Sequence, residues 1–443
     1  MMETTIHHKG ETMATKGTGK PKSKRGRVRR NNRIAIVLLA LLVPLLLVAA
    51  LGGGDDAGSV AGSYTVAEET LPVLETADSQ SSVLATLSQG DEVQVLSMSG
   101  AYYKLALESG QVGFALAQSL TSKTTTIGNW TSEYIDTSKL YTYSQCRKDM
   151  KELDAAYTDA RIETVGESVL GNPIEALVLG NSNAKRRILV HASMHAREGI
   201  TTPVVMRQAE NLLQAAKKNA TYQGVKASTL LKNVEIWVVP VVNPDGLNLV
   251  QKGISSVPED MRARVLALNK GNQDFSRWKA NIRGVDLNRN FPGYWEEDPA
   301  YTKPGPLNFA GTGPLTEPES QALYDLTVEK DFYLTASYHC VGEILYWYGP
   351  KQGILNELNY VSAKQISKLT GYRVLSRSSQ DPNGGYRDWF MWQYARQGFT
   401  IEVATGSAPV PTASFPSIWS KNRLVMAHLA WIASPKSLLS LFG

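Results

Sequence analysis

Arg187–Glu198 reads RILVHASMHARE. Its first five residues hold the apolar run Ile188–Val190, and the pattern predicts a short buried strand over Arg187–His191. Just past the end of that strand, His195 and Glu198 stand three residues apart. Open α/β sheets place their sites at this end of a strand. An imidazole and a carboxylate that close in one turn can ligate one ion. Taken alone, His-x-x-Glu is a weak signal that a surface turn would satisfy equally well.

Outward from this stretch, strands are predicted at Ile162–Val165, Ile174–Leu179, Val234–Val242 (VEIWVVPVV), Tyr333–Tyr338 and Phe399–Val403. Helical periodicity covers Tyr141–Tyr157, Thr202–Lys217, Glu317–Lys330, Leu355–Leu369 and Trp419–Ile432. Strands alternating with helices across residues 139–440 predict one α/β domain with a mixed parallel/antiparallel sheet and helices on both faces. His339 follows the strand Tyr333–Tyr338. Two histidines and one carboxylate, with a position left for water, form the ligand set of a catalytic zinc site. Four histidines lie beyond the N-terminal arm, at 191, 195, 339 and 428, and two of them fall at strand ends. His191 is expected to be structural, because a spacing of four along a strand does not converge on one ion. His428, on an apolar helix, is expected to be packed.

Trp278–Asn290 (WKANIRGVDLNRN) and Phe399–Glu402 (FTIE), taken with His195–Glu198 and His339, resemble the zinc carboxypeptidase family. The motifs occur in the family's order across nearly the whole domain. The resemblance implies one Zn2+ per chain held by His195, Glu198 and His339, with Asp286 orienting a zinc-bound imidazole. It implies that Glu402 is the general base. Asn288 and Arg289, with Arg197, would select substrates carrying a free carboxylate on the leaving residue. Gly384–Trp389 (GGYRDW) would shape the specificity pocket, with Arg387 at its base favouring a side chain that ends in a carboxylate. Two departures from the family pattern matter. Lys279 stands where many members carry an oxyanion-stabilising arginine, with Arg283 as the alternative. Gln380 stands where digestive members carry a mobile tyrosine, and Tyr386 is the candidate substitute for substrate binding.

The charge is uneven along the chain. Residues 1–33 hold ten Lys and Arg against two Glu, whereas the remainder carries 36 basic and 39 acidic residues. The basic balance therefore belongs to an arm, and a nucleic-acid-binding body is excluded. Lys20–Arg33 (KPKSKRGRVRRNNR) runs straight into the uncharged stretch Ile34–Leu51 (IAIVLLALLVPLLLVAAL). As a helix those residues span about 27 Å, enough for a bilayer core. The expectation is a single-pass membrane anchor with the basic arm inside and the catalytic domain extracellular; the alternative is secretion after signal cleavage. With only two cysteines, a disulfide scaffold is excluded, although a Cys146–Cys340 bridge is open to an exported chain.

Between the tether 52–63 and a polar linker at 123–138, residues 64–122 read as short strands punctuated by Gly90, Gly100 and Gly110. LPVLETADSQSSVLATLSQGDEVQVL (Leu71–Leu96) and GAYYKLALESGQVGFALAQSL (Gly100–Leu120) resemble a bacterial SH3-like domain, a small all-β barrel. In that family such domains often bind cell-wall peptides. The whole layout resembles bacterial γ-D-glutamyl-meso-diaminopimelate peptidases, which implies peptidoglycan stem peptides as substrate and the cell wall as partner. A general extracellular carboxypeptidase and an inactive wall-binding protein are the alternatives.

Overall fold

The computed structural model describes residues 62–107, 109–122, 126–296, 302–349, 353, 355–380 and 384–435. The basic arm, the apolar run 34–51 and nearly all of the expected tether lie outside them. Among the described residues, no helix is long and apolar enough to cross a membrane.

The first folded part is all β. Strands β1 (Gly62–Val66), β2 (Thr70–Leu74), β3 (Val83–Ser88), β4 (Glu92–Ser99), β5 (Tyr102–Ala106), β6 (Val112–Leu116) and β7 (Leu120–Ser122) pair in the order β3-β2-β6-β5-β4-β1-β7. Every pairing is antiparallel. Alternating side chains drive one face inward, so Tyr64, Val66, Leu71, Val73, Val93, Val95, Leu105, Ala115 and Leu120 form one core. Gly113 is required there, because a β-carbon would stand 2.4 Å from Val73 Cγ1. The sequence pattern did not show β1 or the three-residue edge strand β7, and β1 takes up Gly62 and Ser63 from the expected tether.

The larger part is built on β8 (Ala160–Glu167), β9 (Pro173–Leu179), β10 (Arg186–His191), β13 (Val234–Val239), β14 (Leu334–Cys340), β15 (Ile344–Tyr346), β16 (Arg373–Val374) and β17 (Gln397–Val403). The short pair β11 (Thr221–Tyr222) and β12 (Val225–Lys226) stands apart. The eight strands run in the order β16-β15-β17-β14-β10-β13-β9-β8. The central pairs β13–β10, β10–β14 and β14–β17 are parallel, whereas β8–β9, β9–β13 and β15–β17 are antiparallel. The sheet is therefore mixed, as expected. Both of its faces are covered. Ile188, Val190, Ile236, Val238 and Phe399 pack with helices such as Thr201–Lys217 and Val425–Ala433. Leu189, Trp237 and Val239 pack under Pro318–Lys330 and Tyr386–Tyr394.

Local chemistry sets the boundaries. β13 stops at Val239, short of the expected Val242, because Pro240 has no N–H to give the ladder. The helix Pro244–Lys252 starts where Asn243 caps it, accepting from Gly246 N at 2.9 Å with Pro244 in the first turn. The C-terminal helix expected as one piece is two, Phe415–Asn422 and Val425–Ala433. Gln208 Nε2 donates to the carbonyl of Asn422 at 2.6 Å, and Asn211 Nδ2 to that of Arg423 at 3.4 Å. Those carbonyls thus bond outside the helical ladder.

The polar stretch before Lys139 lies against the larger part. Glu210 is fully buried and accepts from Ser132 Oγ at 2.6 Å, Glu133 N at 2.6 Å and Tyr134 N at 3.2 Å. Arg207 Nη1 completes the group at 2.7 Å. Cys146 and Cys340 are both free and buried, so the disulfide left open by the sequence is not formed. His428 packs as expected, its Nδ1 2.9 Å from the Tyr222 hydroxyl.

Candidate active site

The parallel strands β10, β14 and β17 are neighbours, so their C-terminal ends open onto one crevice. β10 leads into Ser193, held at φ 45°, a left-handed conformation that a non-glycine residue takes only under tight restraint. The restraint is hydrogen bonding: Ser193 N donates to Thr201 Oγ1 at 3.0 Å, and Ser193 Oγ lies 2.7 Å from Thr202 Oγ1. The chain then makes a 3-10 turn, Ala196–Glu198, with His195 just before it. That tight turn swings Glu198 back onto His195.

His195, Glu198 and His339 are buried, and one donor atom from each lies within 4.8 Å of the others. His195 Nδ1 is 2.8 Å from Glu198 Oε1, His339 Nδ1 is 3.0 Å from Glu198 Oε2, and the two Nδ1 atoms are 3.1 Å apart. On its other side, His195 Nε2 is 3.1 Å from Asp286 Oδ1. An acceptor there places the imidazole proton on Nε2 and turns the Nδ1 lone pair inward.

Charge coupling follows from this geometry. Burial disfavours a charged His195, but Glu198 and Asp286 outweigh it and raise its pKa. Burial also works against Glu198 and Asp286 as anions. The His195 and His339 imidazoles hold Glu198 below the usual carboxylate range, and Lys279 with His195 holds Asp286 well below it.

Asp286 is a hub. Its Oδ2 accepts from Lys279 Nζ at 2.7 Å and lies 3.7 Å from Arg289 Nε, and its Oδ1 accepts from Asn288 N at 3.2 Å. Asn288 Oδ1 in turn accepts from Tyr386 N at 3.1 Å. Asn288, Arg289 and Lys279 therefore converge on the metal-type cluster. Arg283 does not, because its guanidinium turns outward to Glu317 at 3.6 Å.

Glu402 is the register partner of His339 across β14–β17, so the two side chains stand on one face. Its Oε2 is shielded from solvent without a hydrogen-bond partner. Burial pushes Glu402 up to about 7; His339, Lys279 and Arg197 oppose the rise and Glu198 adds to it. Thr400 and Gly398 continue this face down β17, and Tyr346 is the register partner of Thr400. Arg387 covers the same row: its guanidinium carbon is 5.4 Å from the Tyr346 ring centroid, and its Cγ would be 3.2 Å from a β-carbon on Gly398. Arg387 Nε donates to Asp388 Oδ1 at 2.9 Å, while Nη1 is buried without a partner.

Tyr386 corrects the expectation drawn from sequence. It is fully buried, with its hydroxyl 3.0 Å from Thr327 Oγ1 and its ring edge-on to His191 at 4.7 Å. Helical phase explains this: neighbours on a helix diverge by about 100°, so when Arg387 faces β17 its predecessor faces the core. Gln380 is buried too, its Oε1 accepting from Trp347 N at 2.8 Å and Tyr348 N at 3.0 Å. His191 is structural as expected, with Nε2 2.7 Å from Ser337 Oγ.

Two contributors escaped the sequence reading. Asn243 Nδ2 donates to Met194 O at 3.2 Å and Ala280 O at 3.1 Å, tying the His195 loop to the Lys279 loop. Tyr346 joins the Glu402 face through antiparallel pairing. An Asn-Pro step after an apolar strand signals the cap at Asn243; Tyr346 carries no local signal.

The zinc carboxypeptidase family model matches residues 146–424. A γ-D-glutamyl-L-diamino acid endopeptidase of Lysinibacillus sphaericus is 36% identical over 283 residues, 63% of this chain and 70% of that protein. An uncharacterized protein of Bacillus subtilis is 35% identical over 289 residues, 65% of this chain and 76% of that protein. Among solved structures, carboxypeptidase A from Helicoverpa armigera is alike in fold, with a TM-score of 0.54 at 20% identity, covering 70% of this chain and 78% of that one.

Proposed function

The chain belongs to the zinc carboxypeptidase family, and on that premise we propose that it hydrolyses the bond between γ-D-glutamate and meso-diaminopimelate in peptidoglycan stem peptides. As a member of that family it is a metallopeptidase, and the family uses zinc. Two imidazoles and a carboxylate suit that ion. The inward lone pair of His195 meets a second imidazole nitrogen at 3.1 Å and a carboxylate at 2.8 Å, an assembly of acceptors that a cation satisfies. His195, Glu198 and His339 would hold one zinc per chain.

When bound, zinc supplies a Lewis acid that polarises the scissile carbonyl and makes water acidic enough to attack near neutral pH. The residues of the chain supply the rest. Glu402 Oε2 takes a proton from the attacking water and gives it to the leaving amine nitrogen. Its shielded carboxylate, raised by burial, suits a base that works near neutrality. Lys279, held on Asp286, offsets negative charge on the reacting oxygen. Arg289 and Asn288 hold the carboxylate of the leaving residue. Arg387, with an unused buried Nη1 beside Tyr346, takes the second carboxylate of diaminopimelate.

The observation that carries this reading is the placement of Glu402 beside His339, with Arg387 farther along the same face. The resemblance to a γ-D-glutamyl-L-diamino acid endopeptidase supports the substrate class. In the same reading, residues 34–51 anchor the enzyme in the membrane, residues 64–122 are an SH3-like domain that holds it at the wall, and catalysis takes place outside the cell. The test is to give the full chain defined stem peptides and ordinary α-linked peptides, and to identify the products by mass spectrometry. Release of meso-diaminopimelate from L-Ala-γ-D-Glu-meso-diaminopimelate is the expected result. Hydrolysis of the α-linked peptides alone would make it a general carboxypeptidase instead.

A further inference from the structure

Arg197 stands out among the arginines near the site. Arg387 pairs with Asp388 and Arg289 approaches Asp286, each within ion-pair distance. Among the described residues, Arg197 meets no carboxylate at such a distance; its Nη1 reaches the backbone oxygen of Arg277 at 3.4 Å. Its Nε is shielded from solvent and has no partner at all. A guanidinium is always charged, and a shielded donor left unsatisfied is unfavourable. An anion delivered by a ligand would remove that cost.

The location of Arg197 decides which anion. β17 and the chain after it run from Gly398, under Arg387, to Glu402 and on to Ala408 and Pro409. Arg277 Nη1 donates to Ala408 O at 2.7 Å, and Arg197 lines a cleft with Pro409, Val410, Leu140 and Lys139. Arg387 and Arg197 therefore bracket Glu402 along this path. From Gly398 to Glu402 the strand rises roughly 13 Å. If the leaving residue lies toward Arg387, the acyl side of the substrate lies toward Arg197.

We propose that Arg197, which the family resemblance grouped with Asn288 and Arg289 on the leaving residue, is instead a specificity-determining residue that binds the free α-carboxylate of a γ-linked glutamyl residue on the acyl side of the scissile bond. This rests on the proposed substrate. A γ-linkage leaves the α-carboxylate free, two methylenes and one carbon from the carbonyl under attack. An α-linkage consumes that carboxylate, and amidation neutralises it. The three carboxylates flanking a γ-D-glutamyl–diaminopimelate bond are thus met by three arginines: Arg197 on the acyl residue, with Arg289 and Arg387 on the leaving residue.

The experiment compares the full wild-type chain with Arg197→Gln and Arg197→Lys on two peptides. One is L-Ala-γ-D-Glu-meso-diaminopimelate, and the other is identical except that the glutamyl α-carboxylate is a carboxamide. Wild type should prefer the free acid by at least about tenfold in kcat/KM. Arg197→Gln should bring that ratio close to one, and Arg197→Lys should keep part of it. Calorimetric Kd values for both peptides, on Glu402→Gln with and without Arg197→Gln, should show the same ratios without turnover. Equal wild-type values for the two peptides, or a preference that survives in Arg197→Gln, overturns the role of Arg197 while leaving the proposed substrate intact. Cleavage of neither peptide beside hydrolysis of α-linked peptides overturns the substrate, and this inference with it.

Discussion

His339 and Glu402 are register partners on adjacent parallel strands, one turned to Glu198 and the other keeping a solvent-shielded oxygen without a partner. A single ladder thus fixes a metal-type ligand and a shielded carboxylate side by side, with no loop between them. Removing the proton acceptor while keeping its shape should separate their roles. Glu402→Gln is expected to lower kcat by about 10²-fold or more while zinc content stays at one per chain. Near-normal turnover would move the base elsewhere.

His339→Ala should abolish stoichiometric zinc binding, because it leaves only His195 and Glu198 of the buried trio. Metal analysis of the purified variant provides the check, with circular dichroism confirming that the fold persists. A full complement of zinc in that variant would refute the ligand assignment.

Asp286→Asn should weaken zinc binding by about 10–100-fold, since it alters the partner that fixes the His195 imidazole. Chelator competition reads the affinity directly. Unchanged affinity would mean that the 3.1 Å contact does not set the tautomer.

Arg387→Ala should reduce kcat/KM on a diaminopimelate stem peptide by about 1.5–3 kcal/mol, the size of a charged hydrogen bond. The lysine-containing analogue, which lacks the second carboxylate, should change little. Equal losses on both peptides would show that Arg387 only supports packing around Tyr346.

Burial pushes Glu319 up to about 7, despite bonds from Asn281 and the Val169 amide. A carboxyl raised in the folded state contributes stability that is full below its unfolded value, about 4.5, and is lost as pH rises through about 7. The loss should be about 3 kcal/mol. Glu319→Gln should therefore flatten the fall in Tm between about pH 5 and 8. An unchanged slope would assign that fall to other groups.

What the sequence made legible is what local spacing controls. His195 and Glu198 are joined by one turn, and His339 and Glu402 each end an apolar strand whose pattern marks it. The helix boundary at Asn422–Leu424 was not legible, because it depends on Gln208 and Asn211, far away in the chain. Tyr386 misled because its neighbours suggested a pocket, whereas its place on the helix was decided by Arg387 packing over Gly398. Spacing favours Lys279 and leaves Arg283 as its alternative, and only the contact of Arg283 with Glu317, distant in the chain, separates the two.

The buried carboxylate of Glu210 bears on where this protein can be divided. A fragment beginning at Lys139 follows the sequence pattern but removes Ser132, Glu133 and Tyr134, three of the groups that donate to that carboxylate. Arg207 alone would remain to balance a charge deep under the surface. Hydrogen bonds to a charged group contribute about 1.5–3 kcal/mol each, so their loss would destabilise the fragment. A fragment starting at Thr126 keeps the donors, so the excisable catalytic unit begins within the polar stretch, ahead of Ser132.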